Sequence, residues 1–266
     1  MKIKNLNINH IKIRYSDEGQ GFPVVLLHGY LESLEIWQAF AEMLAKKNRV
    51  IYPDLPGHGI SGIAGPVHSM ELMAAYVKEL LDHLCLESCI LIGHSMGGYV
   101  ALAFAEKYPE YLKGLSLFHS VPFADTEEKK KNRDREIELV SNGKKELLIN
   151  TNIPKGFADD NLDRLKAFVD KAKEIGRATQ DEGVIAALRG MKERPDRLNV
   201  ISACNVPFLW ILGRKDNYIN FEPFIAGINP EKYGQLEVLN HSGHMGFIEE
   251  PEKSHEVIKK FIDQCR

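Results

Sequence analysis

Hydrophobic and polar positions along the chain switch repeatedly between two periods. Residues 8–15 alternate with period two and predict an antiparallel edge strand. Pro23-Val24-Val25-Leu26-Leu27 is a continuous apolar run ending at His28-Gly29, the pattern of a strand covered on both faces. Helical spacing follows over 34–45. Residues 49–52 form another short strand, closed by Pro53-Asp54-Leu55-Pro56-Gly57-His58-Gly59. Over 70–84, Leu72, Met73, Tyr76, Val77, Leu80, Leu81 and Leu84 share one stripe of an amphipathic helix. A strand is predicted at 89–92, a helix at 99–108 that Pro109 stops, and a strand at 115–118.

Alternation of this kind implies βαβ crossovers, hence an α/β fold with a mainly parallel central sheet flanked by helices. The pattern breaks after residue 120. Residues 125–138 are dense in charges of both signs and read as a solvated helix face, and helices are predicted around 144–149 and 162–175. Strand character returns at 206–212 and 236–239, and a helix covers 251–264. A helical insertion thus divides the α/β core. Trp37 in the first helix and Trp210 in a late strand read as structural.

Composition narrows the function. A chain of 266 residues fits one or two domains, and 44% hydrophobic with 27% charged residues is globular rather than disordered. Lys and Arg number 34 and Asp and Glu 37, a net charge of −3 that points away from nucleic acid or an anionic membrane as partner. Cys85, Cys89, Cys204 and Cys265 form no CxxC pair and no zinc spacing, and read as small buried thiols in a reducing compartment. The first residues, MKIKNLNINHIKIRY, lack the apolar stretch of a signal peptide, and no run approaches a membrane span. The expectation is a cytoplasmic protein without a membrane partner. Oligomeric state leaves no trace in the sequence.

Chemistry enters with Gly93-His94-Ser95-Met96-Gly97, a G-x-S-x-G pattern between a predicted strand and a predicted helix. A serine on so tight a turn is lifted out of the sheet, above a helix N-terminus that favours developing negative charge. A serine that merely caps the helix would not need glycines on both sides. Serine needs a general base, and the base an orienting acid. Of ten histidines, His244 in Asn240-His241-Ser242-Gly243-His244-Met245-Gly246 is the best placed, after the last strand and beside glycine; His241 is the alternative. A metal held by the two is disfavoured, since no third ligand is near in sequence. The strand at 206–212 ends in Gly213-Arg214-Lys215-Asp216, which makes Asp216 the candidate acid. Oxyanion donors are expected at the backbone N–H of Met96, after the nucleophile, and of Tyr30 in the loop after an early strand. His28 reads as a loop-shaping residue.

Taken in order, His28-Gly29, Asp54-Leu55-Pro56-Gly57-His58-Gly59, Gly93-His94-Ser95-Met96-Gly97-Gly98, Gly213-Arg214-Lys215-Asp216 and Gly243-His244 resemble the α/β-hydrolase fold family, in its compact branch of serine esterases, C–C bond hydrolases, perhydrolase-like enzymes and prolyl iminopeptidases. The likeness covers nearly the whole chain and is weakest over 121–181. That segment matches the family's helical cap or lid, inserted between the sixth and seventh strands of the family pattern, with residues 1–120 and 182–266 as the hydrolase core. Epoxide hydrolases and haloalkane dehalogenases of the family carry aspartate where this chain has Ser95. The resemblance implies a Ser95–His244–Asp216 triad, an acyl-enzyme, a small ester or thioester as substrate, and no metal or organic cofactor. Phe123, Phe157 and Phe168 would favour an apolar acyl or aromatic group. Two rivals remain: a lyase of menaquinone synthesis using the same triad, which would draw on Arg133, Arg135, Arg164, Arg177, Arg189 or Arg214, and a non-catalytic ligand sensor.

Overall fold

A computed structural model describes residues 2–266. Its strands are β1 (Ile3–Ile8), β2 (Ile11–Glu18), β3 (Pro23–Leu27), β4 (Arg49–Pro53), β5 (Cys89–His94), β6 (Leu112–Phe118), β7 (Phe208–Gly213) and β8 (Gln235–Leu239). Its α-helices are α1 (Gln38–Leu44), α2 (Met70–His83), α3 (Met96–Lys107), α4 (Glu127–Ser141), α5 (Lys145–Lys155), α6 (Lys166–Ala178), α7 (Asp181–Glu193), α8 (Leu198–Ser202), α9 (Phe221–Ile228), α10 (Gly246–Glu249) and α11 (Pro251–Gln264). The strands form one sheet in the order β1-β2-β4-β3-β5-β6-β7-β8. Pairing is antiparallel for β1–β2 and β2–β4 and parallel from β4 to β8. The chain is therefore an α/β protein with a mainly parallel sheet, as its periodicity implies.

The 8–15 run is not one strand. Asn9 and His10 take φ of 48° and 66° and reverse the chain, so Ile8 pairs with Ile11 across a two-residue hairpin. The central strands are covered on both faces: Val24 through Leu27 and Cys89 through Ile92 are fully buried, which is why they read as unbroken apolar runs. Met73, Val77, Leu80 and Leu81 of α2 pack with α3 on one face of the sheet. Trp37, Phe40 and Leu44 pack with Val257, Ile258, Phe261 and Ile262 of α11 on the other. Trp37 and Trp210 are both buried, Trp37 with its ring 4.2 Å from Phe247.

Between β6 and β7 the chain is helical from α4 to α8. Only Val140 of α4 is buried, in keeping with a solvated face. The helical stretch does not stop at residue 181: α7 begins there and packs down on the core, where a Cβ on its Gly190 would overlap the His68 carbonyl oxygen. The helix α9, for which no element is predicted above, places Phe221, Phe224, Ile225 and Ile228 at helical spacing. Among the described residues no helix is long and apolar enough to cross a membrane.

The order of the parallel strands reverses beside β3, whose neighbours are β4 and β5. A crevice opens at the carboxyl ends of strands at such a point. All the candidate site residues lie just past those ends.

Candidate active site

Ser95 sits alone between the end of β5 and the start of α3, with φ 50° and ψ −116°, a conformation that costs energy for any residue with a Cβ. Two glycines let the turn close: a Cβ on Gly93 would overlap the Gly97 carbonyl oxygen, and one on Gly97 would overlap that of Leu27. The end of β6 pins the serine from the side. Its N–H donates to the Phe118 carbonyl at 3.1 Å, and its carbonyl accepts from Ser120 Oγ at 2.7 Å. The side chain does not cap the helix.

Asp216 lies beyond β7, buried, with both oxygens engaged. Oδ1 accepts the N–H groups of Tyr218 at 2.7 Å and Ile219 at 3.0 Å, and Oδ2 accepts His244 Nδ1 at 2.7 Å. Burial works to raise the Asp216 carboxyl, but the charge and hydrogen bond of His244 outweigh it and hold the group below the usual carboxylate range. The His244 backbone N–H donates to Gly156 at 2.7 Å, which fixes its loop. His244 and Ser95 line one cavity of about 570 Å³, together with Tyr30, Leu148, Phe157 and Met191. No hydrogen bond joins Ser95 Oγ to His244 among the described residues. His241, the alternative base, is exposed and lies outside the cavity lining.

The loop after β3 brings Tyr30 to the same cavity. His28 shapes this loop as expected: Nε2 accepts the Leu55 N–H at 2.9 Å and Nδ1 reaches the Gly29 carbonyl at 2.8 Å. Burial pushes its basicity down, leaving it neutral. Met96 opens α3, and its N–H is among the first-turn donors that a helix leaves without an intrahelical acceptor.

Of the three phenylalanines, only Phe157 lines the cavity; Phe168 is half exposed. Of the six arginines, only Arg133 and Arg135 do. Arg133 is already paired with Asp125 at 3.1 Å. No cluster of three or more potential metal ligands occurs among the described residues.

Three groups carry no sequence signal. Glu32 and His94 meet across 62 positions at 3.0 Å. His119, past β6 with φ 49°, is fully buried, its Nδ1 3.7 Å from Asp216 Oδ2. The N–H groups of Gly213 and Gly246 point at its two ring nitrogens, at 3.0 and 3.1 Å. Burial drives its basicity far down, which keeps the ring neutral, and a neutral ring accepts from only one of these two N–H groups.

Residues 23–251 match the family model described as alpha/beta hydrolase fold. A thermophilic esterase from Thermogutta terrifontis, solved with malate bound, superimposes with a TM-score of 0.93 at 32% identity, covering 100% of this chain and 99% of that one. A Bacillus subtilis protein provisionally named 2-succinyl-6-hydroxy-2,4-cyclohexadiene-1-carboxylate synthase is 29% identical over 94% of this chain and 95% of its own. The pimeloyl-[acyl-carrier protein] methyl ester esterase of Aeromonas hydrophila is 28% identical over 92% and 96%.

Proposed function

The chain belongs to the α/β-hydrolase fold family, and from that premise we propose that it is a serine hydrolase of small carboxylic esters or thioesters, working through an acyl-enzyme on Ser95. One observation carries the reading: the 2.7 Å bond from His244 Nδ1 to buried Asp216, beside the cavity that the Ser95 elbow lines. With Nδ1 committed to Asp216, Nε2 of His244 is left to take a proton.

Ser95 Oγ attacks the acyl carbon while His244 accepts the hydroxyl proton. The N–H groups of Tyr30 and Met96 hold the oxyanion. Collapse breaks the bond to the leaving alcohol or thiol, which receives the proton back from His244. Water, deprotonated by His244, then releases the acid and restores Ser95. The hydrogen bond from Ser95 Oγ to His244 Nε2 forms as substrate enters and excludes water, since such contacts are commonly made only on passing from free enzyme to complex. The helical insertion at 121–181 acts as a cap over the cavity, and Leu148, Phe157 and Met191 make the cavity wall favour an apolar acyl group.

p-Nitrophenyl acetate, butyrate and octanoate test this. Turnover of at least one, lost in Ser95→Ala and His244→Ala, is the expected result. A second reading, elimination on the same three residues, rests on Arg133 and Arg135 in the cavity lining, a chemistry suited to a carboxylate-rich substrate. Turnover of such an elimination substrate in preference to every ester would select it.

A further inference from the structure

Glu32 and His94 take no part in the chemistry above, yet they join the three chain segments that supply it. Glu32 follows the Gly29–Tyr30 loop, and its Oε2 accepts the Gly29 N–H at 2.6 Å. The same oxygen lies 3.0 Å from Nδ1 of His94, the residue before the nucleophile. On the far side of that ring, Nε2 lies 2.9 Å from the backbone carbonyl oxygen of His244. His94 is fully buried and Glu32 nearly so, which keeps water from serving either ring nitrogen.

The proton count follows from the partners. A carbonyl oxygen only accepts, so Nε2 of His94 carries a hydrogen. An ionised carboxylate also only accepts, so Nδ1 carries one too, and the ring is an imidazolium. Burial opposes each charge, but each partner overcomes it for the other: His94 is held above, and Glu32 below, its ordinary value. The other titratable groups around the pair are Asp216, His28, His119 and His244, the last with its ring 5.1 Å from that of His94.

We propose that Glu32 and His94 are positioning residues, a buried carboxylate–imidazolium pair that sets the oxyanion loop, the Ser95 elbow and the His244 loop in one register. The inference rests on the serine-hydrolase reading for its effect on turnover, and on the hydrogen bonds together with an ionised Glu32 for the charge state. Pairing cancels the charge close to His244, while two charge-assisted bonds resist displacement of the loops. A misplacement of about 1 Å at such a centre can cost about 10²-fold in rate.

Nitrogen-15 spectra of histidine-labelled protein at pH 7 read the pair directly, with His94 identified by the signals that a His94→Asn variant lacks. Two protonated ring nitrogens on His94 are expected in the parent and one in Glu32→Gln. That variant should lose about 10- to 100-fold in kcat, with KM within about threefold of the parent. If Glu32→Gln fails to fold, Glu32→Asp serves: it keeps the charge but withdraws it by one methylene, and should retain the imidazolium while losing kcat. A singly protonated His94 in the parent overturns the proposal, as does parental kcat in the variant. The spectra need no turnover, so a failure of the serine-hydrolase reading would appear separately, as an unreactive Ser95 beside an intact His94 signature.

Discussion

Asp216 holds His244 from one side and is itself held from the other: Oδ2 takes the imidazole at 2.7 Å, and Oδ1 takes the amides of Tyr218 and Ile219. The carboxylate is thus fixed before any substrate arrives, and it selects the His244 tautomer with its proton on Nδ1. Asp216→Asn keeps the shape but offers an N–H where an acceptor is needed, or turns the ring to the wrong tautomer. A fall in kcat of about 10⁴-fold is expected, with the melting temperature changed little. Ester turnover and a thermal melt of the same preparation check both halves.

The elbow tolerates no side chain at Gly97, where a Cβ would overlap the carbonyl oxygens of Leu27 and His28. These belong to the segment leading into the Tyr30 loop. Gly97→Ala should therefore cost about 1–3 kcal/mol of stability and lower kcat as well, by moving the Tyr30 N–H proposed as oxyanion donor. Urea unfolding and ester turnover measure the two losses; a stable variant with parental kcat would contradict the packing argument.

Beneath the site, Asp54 joins three segments. It accepts Arg14 Nε at 2.5 Å, the Leu34 N–H at 2.8 Å and the Ile60 N–H at 3.1 Å. Arg14 is largely buried, so Asp54→Leu leaves its guanidinium with Glu35 as its remaining acidic partner and strands two amides. Unfolding in urea at pH 7 should show a loss of about 3–5 kcal/mol.

Acid sensitivity has an identifiable source. Burial lowers His68 from the ordinary 6.5 to about 4, and pushes His28 and His58 down as well. Between pH 6.5 and about 4 the unfolded chain binds a proton at His68 that the folded chain does not, so stability falls as pH falls through that window. The melting temperature should drop across it, and His68→Gln should flatten the dependence. An identical slope in the variant would assign the effect elsewhere.

What was legible in the sequence was local. The buried runs at β3 and β5 are apolar because both faces of those strands are covered, and the order of Ser95, Asp216 and His244 follows the strand ends. The hairpin at Asn9-His10 was hidden because alternation continues on both arms and no glycine marks the turn. The helix α7 does carry a helical stripe, Val184, Ala187, Leu188 and Met191, so the sequence marks it although the expected insertion ends at residue 181. Glu32 and His94 were invisible for a different reason. Their contact spans 62 positions, and neither residue stands out until β3 and β5 are laid side by side. The flanking glycine already favours His244 over His241 in the sequence, and the fold leaves His244 in the cavity lining and His241 outside it.

The central claim is that Ser95 is a nucleophile activated by His244. A fluorophosphonate probe, with the labelled peptide mapped by mass, measures this most directly. One phosphonate per chain on Ser95 at neutral pH is expected, absent in Ser95→Ala and at least about 10²-fold slower in His244→Ala. A parent protein that stays unlabelled while folded, or one labelled at another residue, would contradict it.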